Sequence, residues 1–166
     1  MKATIDARPI EFTPGQTILE AARHAGTHVP TLCYHAGLPA EGGCRVCLVE
    51  VGPRGTFVAA CHTPLTEDMA VVTDSDRLRQ VRSGLMSLML SAHREGTFVP
   101  SADGNEFERL ADELHVDASL LQYSGHTHAS AMDDSHPYLR YDSGRCIVCR
   151  RCVHSCERVQ GQFVYG

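Results

Sequence analysis

The chain has 166 residues, of which 43% are apolar and 21% are charged, and its formal net charge is −5. This composition excludes disorder over most of the chain and suffices for one or two small domains with a buried core. The acidic balance, without a long basic run, argues against a nucleic-acid partner. No apolar stretch resembles a signal core or reaches the length of a membrane span, so we expect a soluble, cytoplasmic protein.

Eight cysteines are the most informative feature of the composition. In a chain without a secretory signal they predict metal or redox chemistry rather than disulfides, because reducing compartments keep thiols free. They fall into two sets of four, of which the first comprises Cys33, Cys44, Cys47 and Cys61 and the second Cys146, Cys149, Cys152 and Cys156.

The first 75 residues alternate short strand and helix signals. Strands are predicted at 3–5 and 10–12, and Thr17 and Glu20 have the spacing of a capping box that begins a helix over about 18–25. Gly26 is placed to end this helix, and a long loop follows it. Three further strands are predicted at 46–51, 56–60 and 70–73. Residues 1–75 are therefore predicted to form an α+β domain of the β-grasp type.

Beyond residue 76 the apolar period changes to that of helices. A first helix, running through residue 91, is predicted to pack on a neighbour through Leu78, Val81, Leu85, Leu88 and Met89. A second helix is predicted over 106–115, with Asn105 as its cap and with an apolar face made of Phe107, Leu110, Ala111 and Leu114. We expect a small helical linker domain over 76–118, and then a polar loop over 119–137.

The first cysteine set has the pattern C-x10-C-x2-C-x13-C. Four thiolates suit either tetrahedral zinc or a [2Fe-2S] cluster. Structural zinc usually has two close cysteine pairs, whereas only Cys44 and Cys47 are close here, which favours the cluster. Gly42 and Gly43 would let the backbone approach a cluster whose sulfides need hydrogen-bond donors.

The segments VPTLCYHAGL and GGCRVCLVEV, followed by Cys61, resemble the N-terminal ferredoxin domain of the large iron–sulfur subunit of complex I. The same domain opens the diaphorase subunits of bidirectional hydrogenases and the alpha subunits of NAD-linked formate dehydrogenases. The resemblance implies that Cys33, Cys44, Cys47 and Cys61 hold one [2Fe-2S] cluster.

The second cysteine set has the pattern C-x2-C-x2-C-x3-C of bacterial-type [4Fe-4S] ferredoxins. In that motif the first three cysteines bind one cluster and the fourth binds another. Cys146, Cys149 and Cys152 would thus hold a [4Fe-4S] cluster whose fourth ligand lies outside the chain, and Cys156 would belong to a second, incomplete cluster. We expect a partial ferredoxin segment over 138–166, and whether its clusters assemble in the chain as given is left open.

The segment SHPYLRYDSGRCIVCRRCVHSCERVQGQFVYG, and its GQFVYG ending in particular, most resembles the formate dehydrogenase alpha subunits, in which a second cysteine motif and a molybdopterin region follow. Between its two cysteine sets this family usually carries a His-x3-Cys-x2-Cys-x5-Cys segment for another [4Fe-4S] cluster. His93 matches the histidine, but the three cysteine positions hold Thr97, Pro100 and Glu106. The linker is therefore expected to have lost that cluster.

The leading hypothesis is an iron–sulfur electron-transfer module of an oxidoreductase complex. The resemblance implies a flavin- or NAD-binding diaphorase subunit as one partner, and as the other a catalytic site such as a molybdopterin formate dehydrogenase domain or subunit. Two alternatives are a hydrogenase or complex I subunit, and a zinc-stabilised interaction protein with no redox role. No dinucleotide fingerprint, nucleophile with an adjacent base or carboxylate dyad is recognisable, so we expect no catalytic residues within the chain.

Overall fold

The computed structural model describes residues 1–91, 104–116 and 132–165. They belong to two compact units, one formed by Met1–Arg82 with Arg150–Gly166 and the other by Ser83–Cys149. The four-part division proposed from the sequence stays a prediction. Within the described ranges, no helix is long and apolar enough to cross a membrane.

A five-stranded mixed sheet organises the first unit. Strands β1 (Lys2–Ile5) and β2 (Arg8–Glu11) form one antiparallel hairpin, and β3 (Leu48–Val51) and β4 (Thr56–Ala59) form another. Strand β5 (Ala70–Val72) lies between them, parallel to β1 and antiparallel to β3, which gives the order β2-β1-β5-β3-β4. The predicted strands are confirmed, with ends that differ by one or two residues.

The turn between β1 and β2 is anchored to the residue that follows the neighbouring strand β5. Its two central residues, Asp6 and Ala7, both have positive φ, 49° and 62°, as tight hairpins with the right-handed strand twist require. The Asp6 carboxylate accepts hydrogen bonds from the Thr73 amide at 2.7 Å and from the Thr73 hydroxyl at 2.6 Å. Thr73 is buried, so these bonds satisfy polar groups that water cannot reach.

Replacing Asp6 by Ala is expected to lower the free energy of unfolding by about 1–3 kcal/mol, because the buried Thr73 donors lose their acceptor. Urea unfolding followed by circular dichroism measures this change. Asp74→Ala is the matched control, since Asp74 forms an exposed ion pair with Arg79 and its loss should change little. Equal midpoints for the two variants would contradict the structural role of Asp6.

Helix α1 (Ile18–His24) lies against the sheet. The predicted capping box is confirmed: the Thr17 hydroxyl accepts from the Glu20 amide at 3.2 Å, and the Glu20 carboxylate accepts from the Thr17 amide at 2.8 Å. Gly26, at φ 71°, follows the helix as predicted. The buried face of α1, which joins the core of the sheet, comprises Ile18, Leu19, Ala21 and Ala22.

Helix α2 (Asp76–Ser91) has its predicted length but a different inward face. Its buried positions follow a spacing of four and are Leu78, Arg82, Met86 and Leu90. Leu88, which we predicted to be part of the packing stripe, is 66% exposed, and that prediction is wrong. The cause is Arg82, whose Nη2 donates to the carbonyls of Leu48 at 2.6 Å and Thr73 at 2.9 Å. The predicted face was chosen from apolar residues alone, so a buried arginine could not be assigned to it.

Helix α3 (Glu106–Glu113) in the second unit begins as predicted. The Asn105 side chain accepts from the amides of Phe107 and Glu108, and the Glu108 carboxylate accepts from the Asn105 amide at 2.8 Å. The predicted inward residues Phe107, Leu110 and Ala111 are buried, Leu114 is half-buried at the helix end, and Val116 beyond it is also buried. Of the four positions matched to the lost cluster site, Glu106 opens α3, whereas His93, Thr97 and Pro100 lie outside the described residues.

The C-terminal part consists of short elements. Strands β6 (Met132–Asp133) and β7 (Tyr141–Asp142) pair antiparallel, so the predicted loop over 119–137 contains a two-residue strand. A strand of two residues is too short to show the alternation of polar and apolar residues from which strands are predicted. Its pairing partner lies several residues further along the chain, so the pairing could not be predicted from neighbouring residues. A 3₁₀ turn (Ser143–Arg145), helix α4 (Arg151–His154) and a π-helical segment (Ser155–Val159) follow.

Candidate metal centre

The first cysteine set lies where a loop and a hairpin meet. Cys33 is on the loop after α1, Cys44 and Cys47 are in the segment that leads into β3, and Cys61 follows β4 by two residues. Leu48 pairs with Ala59 in the hairpin, and the Ala60 amide extends the ladder by donating to the Cys47 carbonyl at 3.1 Å. This register brings Cys47 and Cys61 side by side.

Helix α1 holds the Cys61 segment from the other side. The Leu19 amide donates to the Ala60 carbonyl and the Ile18 amide donates to the Thr63 carbonyl, both at 3.0 Å. These amides belong to the first helical turn, where N–H groups have no partner inside the helix. The helix N-terminus therefore fixes the backbone on both sides of Cys61.

The four thiols are arranged as two pairs. The sulfurs of Cys47 and Cys61 are 3.3 Å apart and both residues are buried, and the thiols of Cys33 and Cys44 form a second hydrogen-bonded pair. Among the residues that the structure describes, no group of three or more His, Cys, Asp or Glu side chains converges as a single metal ion requires. Two pairs suit a [2Fe-2S] cluster, in which each iron takes two protein thiolates.

Each pair favours one thiolate. A hydrogen bond from the Cys44 thiol lowers the pKa of Cys33 to about 6, although burial opposes this shift. The hydrogen bond with Cys61 likewise lowers the pKa of Cys47 to about 7. The same bonds, followed by burial, raise the pKa values of Cys44 and Cys61. Thiolate is the form that binds metal, and Cys33 and Cys47 are the members of the two pairs that lose their protons more readily.

Backbone amides surround the sulfurs of the first pair. The amides of Cys44 and Gly43 lie near the Cys33 sulfur and favour a lower pKa of that thiol, and the Val46 amide acts in the same direction on the pKa of Cys44. Gly42 has a φ of 64°, and a Cβ there would lie 3.4 Å from the Cβ atoms of Ala59 and His62. The positive φ thus favours glycine at position 42, and the role of Gly42 and Gly43 in the approach to a cluster stays a prediction. Arg45, between the cysteines, also has positive φ, 61°.

Comparison with known proteins agrees with this geometry. Residues 1–76 match the family of the 2Fe-2S iron-sulfur cluster binding domain. The structure superposes on a chain of the crystal structure of NAD+-reducing [NiFe]-hydrogenase in the H2-reduced state with a TM-score of 0.83 and 33% sequence identity, covering 96% of this chain and 67% of that one. The chain belongs to this iron–sulfur family.

Curated relatives of this [2Fe-2S] family member are longer proteins. The NADP-reducing hydrogenase subunit HndD of Solidesulfovibrio fructosivorans is 35% identical over 164 residues, which are 95% of this chain and 28% of that protein. The mitochondrial NADH-ubiquinone oxidoreductase 78 kDa subunit of Candida albicans is 29% identical over 167 residues, which are 100% of this chain and 23% of that protein. The chain thus spans about a quarter of the curated relatives that it matches.

The second cysteine set is divided between the two compact units. Cys146 and Cys149 belong to the second unit, and Cys152 and Cys156 belong to the first. The Val148 amide donates to the Cys146 sulfur at 3.4 Å, which repeats the amide-to-sulfur contact of Val46 and Cys44. Cys152 is exposed on α4, and the Cys156 thiol donates to the Gln162 carbonyl at 3.0 Å. The assignment of these four residues as ligands stays a prediction.

A group of residues that the motifs did not single out joins the two cysteine segments inside the first unit. Arg150 Nη1 lies 3.0 Å and 3.3 Å from the two carboxylate oxygens of Glu41, and His154 Nε2 lies 2.9 Å from the same side chain. Arg151 donates to the carbonyls of Cys33 and Tyr34. The sequence contains only weak indications of these contacts. Glu41 is the sole acidic residue of the 27–43 loop, and Arg150 and Arg151 lie between Cys149 and Cys152.

Proposed function

We propose that Cys33 and Cys44 bind one iron of a [2Fe-2S] cluster and that Cys47 and Cys61 bind the other. The observation that carries this assignment is the grouping of the four thiols into two hydrogen-bonded pairs within the domain that matches the [2Fe-2S] family. The cluster supplies a one-electron carrier when it is bound. The function is therefore electron transfer, and no residue of the chain is assigned a catalytic role.

The surrounding residues perform three tasks at such a centre. The amides of Gly43, Cys44 and Val46 lie near the sulfurs of Cys33 and Cys44 and would stabilise the negative charge of a bound cluster. Burial of Cys47 and Cys61 keeps water away from one side of the site. The hairpin register and the N-terminus of α1 would hold Cys47 and Cys61 in place around a bound cluster.

We further propose that Cys146, Cys149 and Cys152 hold a [4Fe-4S] cluster together with a fourth ligand outside the chain, and that Cys156 belongs to another such cluster. The spacing of the motif and the amide donor at the Cys146 sulfur support this proposal. The thiol-rich composition fits a reducing compartment such as the cytoplasm.

For the parent complex we propose an NAD-linked formate dehydrogenase, with a flavin- or NAD-binding diaphorase subunit on one side and a molybdopterin catalytic domain or subunit on the other. The SHPYLRYDSGRCIVCRRCVHSCERVQGQFVYG segment, with its GQFVYG ending, supports this choice. The names of the relatives support the alternative of a hydrogenase or NADH dehydrogenase complex. Affinity purification of the tagged chain from its host, with formate, hydrogen and NADH tested as reductants of its clusters, decides between them.

The cluster assignment is tested by anaerobic expression of the chain with metal and sulfide analysis. We expect iron and acid-labile sulfide in equal amounts, a visible spectrum and, after reduction, an electron paramagnetic resonance signal of a [2Fe-2S] centre. A colourless chain with stoichiometric zinc and no iron would overturn the proposal in favour of a zinc-stabilised interaction protein. A two-iron signal alone would support the first site and count against the second in this chain.

A further inference from the structure

The Arg151 guanidinium contacts the backbone of the first cysteine loop. Its Nη2 donates to the Tyr34 carbonyl at 2.7 Å, and its Nε lies 3.4 Å from the Cys33 carbonyl. The side chain is half-buried, and both partners belong to the same compact unit. A cationic group is therefore held against the backbone of a proposed cluster ligand, although it lies 118 residues away in sequence.

Neighbouring contacts fix Arg151 in this position. Arg150 and His154, on either side of it, both contact the Glu41 carboxylate on the same loop. Glu41 stands three residues before Cys44, so the two cysteines of the first pair are each flanked by a contact to α4. The contacts of Arg150 and His154 with Glu41 thus hold α4 against the loop and keep the Arg151 guanidinium in place.

The positive charge of Arg151 is expected to affect the reduction of a cluster at the first cysteine set. Reduction adds one negative charge to the cluster, and a nearby fixed positive charge stabilises the reduced state. Arginine keeps its charge at any working pH, and partial burial limits screening by salt. The contacts of Arg151 with the Cys33 and Tyr34 carbonyls place this positive charge beside the loop that carries Cys33.

We propose that Arg151 is a positioning residue that sets the reduction potential of the [2Fe-2S] centre. Its side chain extends from the second cysteine segment and places a positive charge beside the loop that contains Cys33. The inference rests on the proposed function, since it requires a cluster held by Cys33 and its three partners. It adds a residue that lies outside the matched domain of residues 1–76.

The test is a redox titration of the anaerobically loaded full chain, followed by electron paramagnetic resonance. Arg151→Gln removes the charge but keeps a polar side chain, and it is expected to lower the equilibrium constant for reduction about tenfold, or 59 mV for one electron. Arg151→Lys keeps the charge and is expected to stay within about twofold of the wild type. Arg158→Gln, an exposed charge on the same segment, is the matched control and is expected to leave the potential unchanged.

Each result decides the matter. An unchanged potential in Arg151→Gln, or an equal shift in Arg158→Gln, overturns the role of Arg151. If Arg151→Gln fails to load its cluster, the Lys variant takes its place, and a tenfold change there overturns the proposal while a potential within twofold supports it. A wild-type chain that takes up no two-iron cluster overturns the proposed function instead, which separates the two failures.

Discussion

Replacement of Cys44 by Ser is expected to abolish the [2Fe-2S] signal of the loaded chain. The Cys44 thiol pairs with Cys33, so its loss removes one of the four proposed protein ligands and the hydrogen bond within the pair. Even outer-shell changes cost 10–100-fold in metal affinity, and a direct ligand is expected to cost more than about 100-fold. Iron analysis and electron paramagnetic resonance of the reduced protein measure the loss.

The same replacement is expected to lower the thermal midpoint of the first domain, because binding energy at a metal centre contributes to folding. Cys156→Ser serves as the control: that thiol donates to the Gln162 carbonyl and has no part in the two pairs of the first set. The control variant should retain the two-iron signal in full. A two-iron signal of wild-type shape and intensity in Cys44→Ser would show that the ligand assignment is wrong.

Replacement of Arg82 by Ala is expected to lower the free energy of unfolding by about 3–4 kcal/mol. Arg82 is 3% exposed and joins α2 to the sheet through the carbonyls of Leu48 and Thr73. Hydrogen bonds from charged groups contribute about 1.5–3 kcal/mol each, and the truncation also removes a long buried stem. Removal of the buried charge offsets part of this loss, because the charge had to be desolvated.

Arg82→Met separates the two contributions, because methionine retains most of the buried volume but donates no hydrogen bond. We expect urea denaturation to place Arg82→Met between the wild type and Arg82→Ala, at a loss of about 2 kcal/mol. Arg79→Ala is the surface control, since Arg79 pairs only at the exposed face with Asp74 and Asp76 among the contacts described. A midpoint for Arg82→Met at or above the wild type would show that the two hydrogen bonds do not stabilise the fold.

The elements that could be predicted from the sequence are those with local causes. Each of the two capping boxes, which begin at Thr17 and Asn105, involves only four consecutive residues, and each helix begins where its cap predicts. The two hairpins are likewise signalled by turns and by β-branched runs. The first cysteine set was recognisable because its loop and hairpin bring residues at fixed spacing to one place.

The features that could not be predicted depend on residues distant in sequence. The inward position of Arg82 is explained by carbonyls of Leu48 and Thr73, which no periodicity over α2 contains. The contact between Arg150 and Glu41 joins residues 109 positions apart. The pairing of β6 with β7 has the same non-local character, and its two-residue strands are too short to carry an alternation signal.

The parallel pairing of β1 with β5 sets the order in which this domain assembles. Asp6 and Thr73, at the ends of these strands, are 67 residues apart, whereas Cys47 and Cys61 are 14 apart. Closing the longer loop costs about 1.4 kcal/mol more in chain entropy, and long-range pairings form late in folding. The β3–β4 hairpin should therefore form first, and the Cys47 and Cys61 thiols are expected to be side by side before β5 completes the sheet.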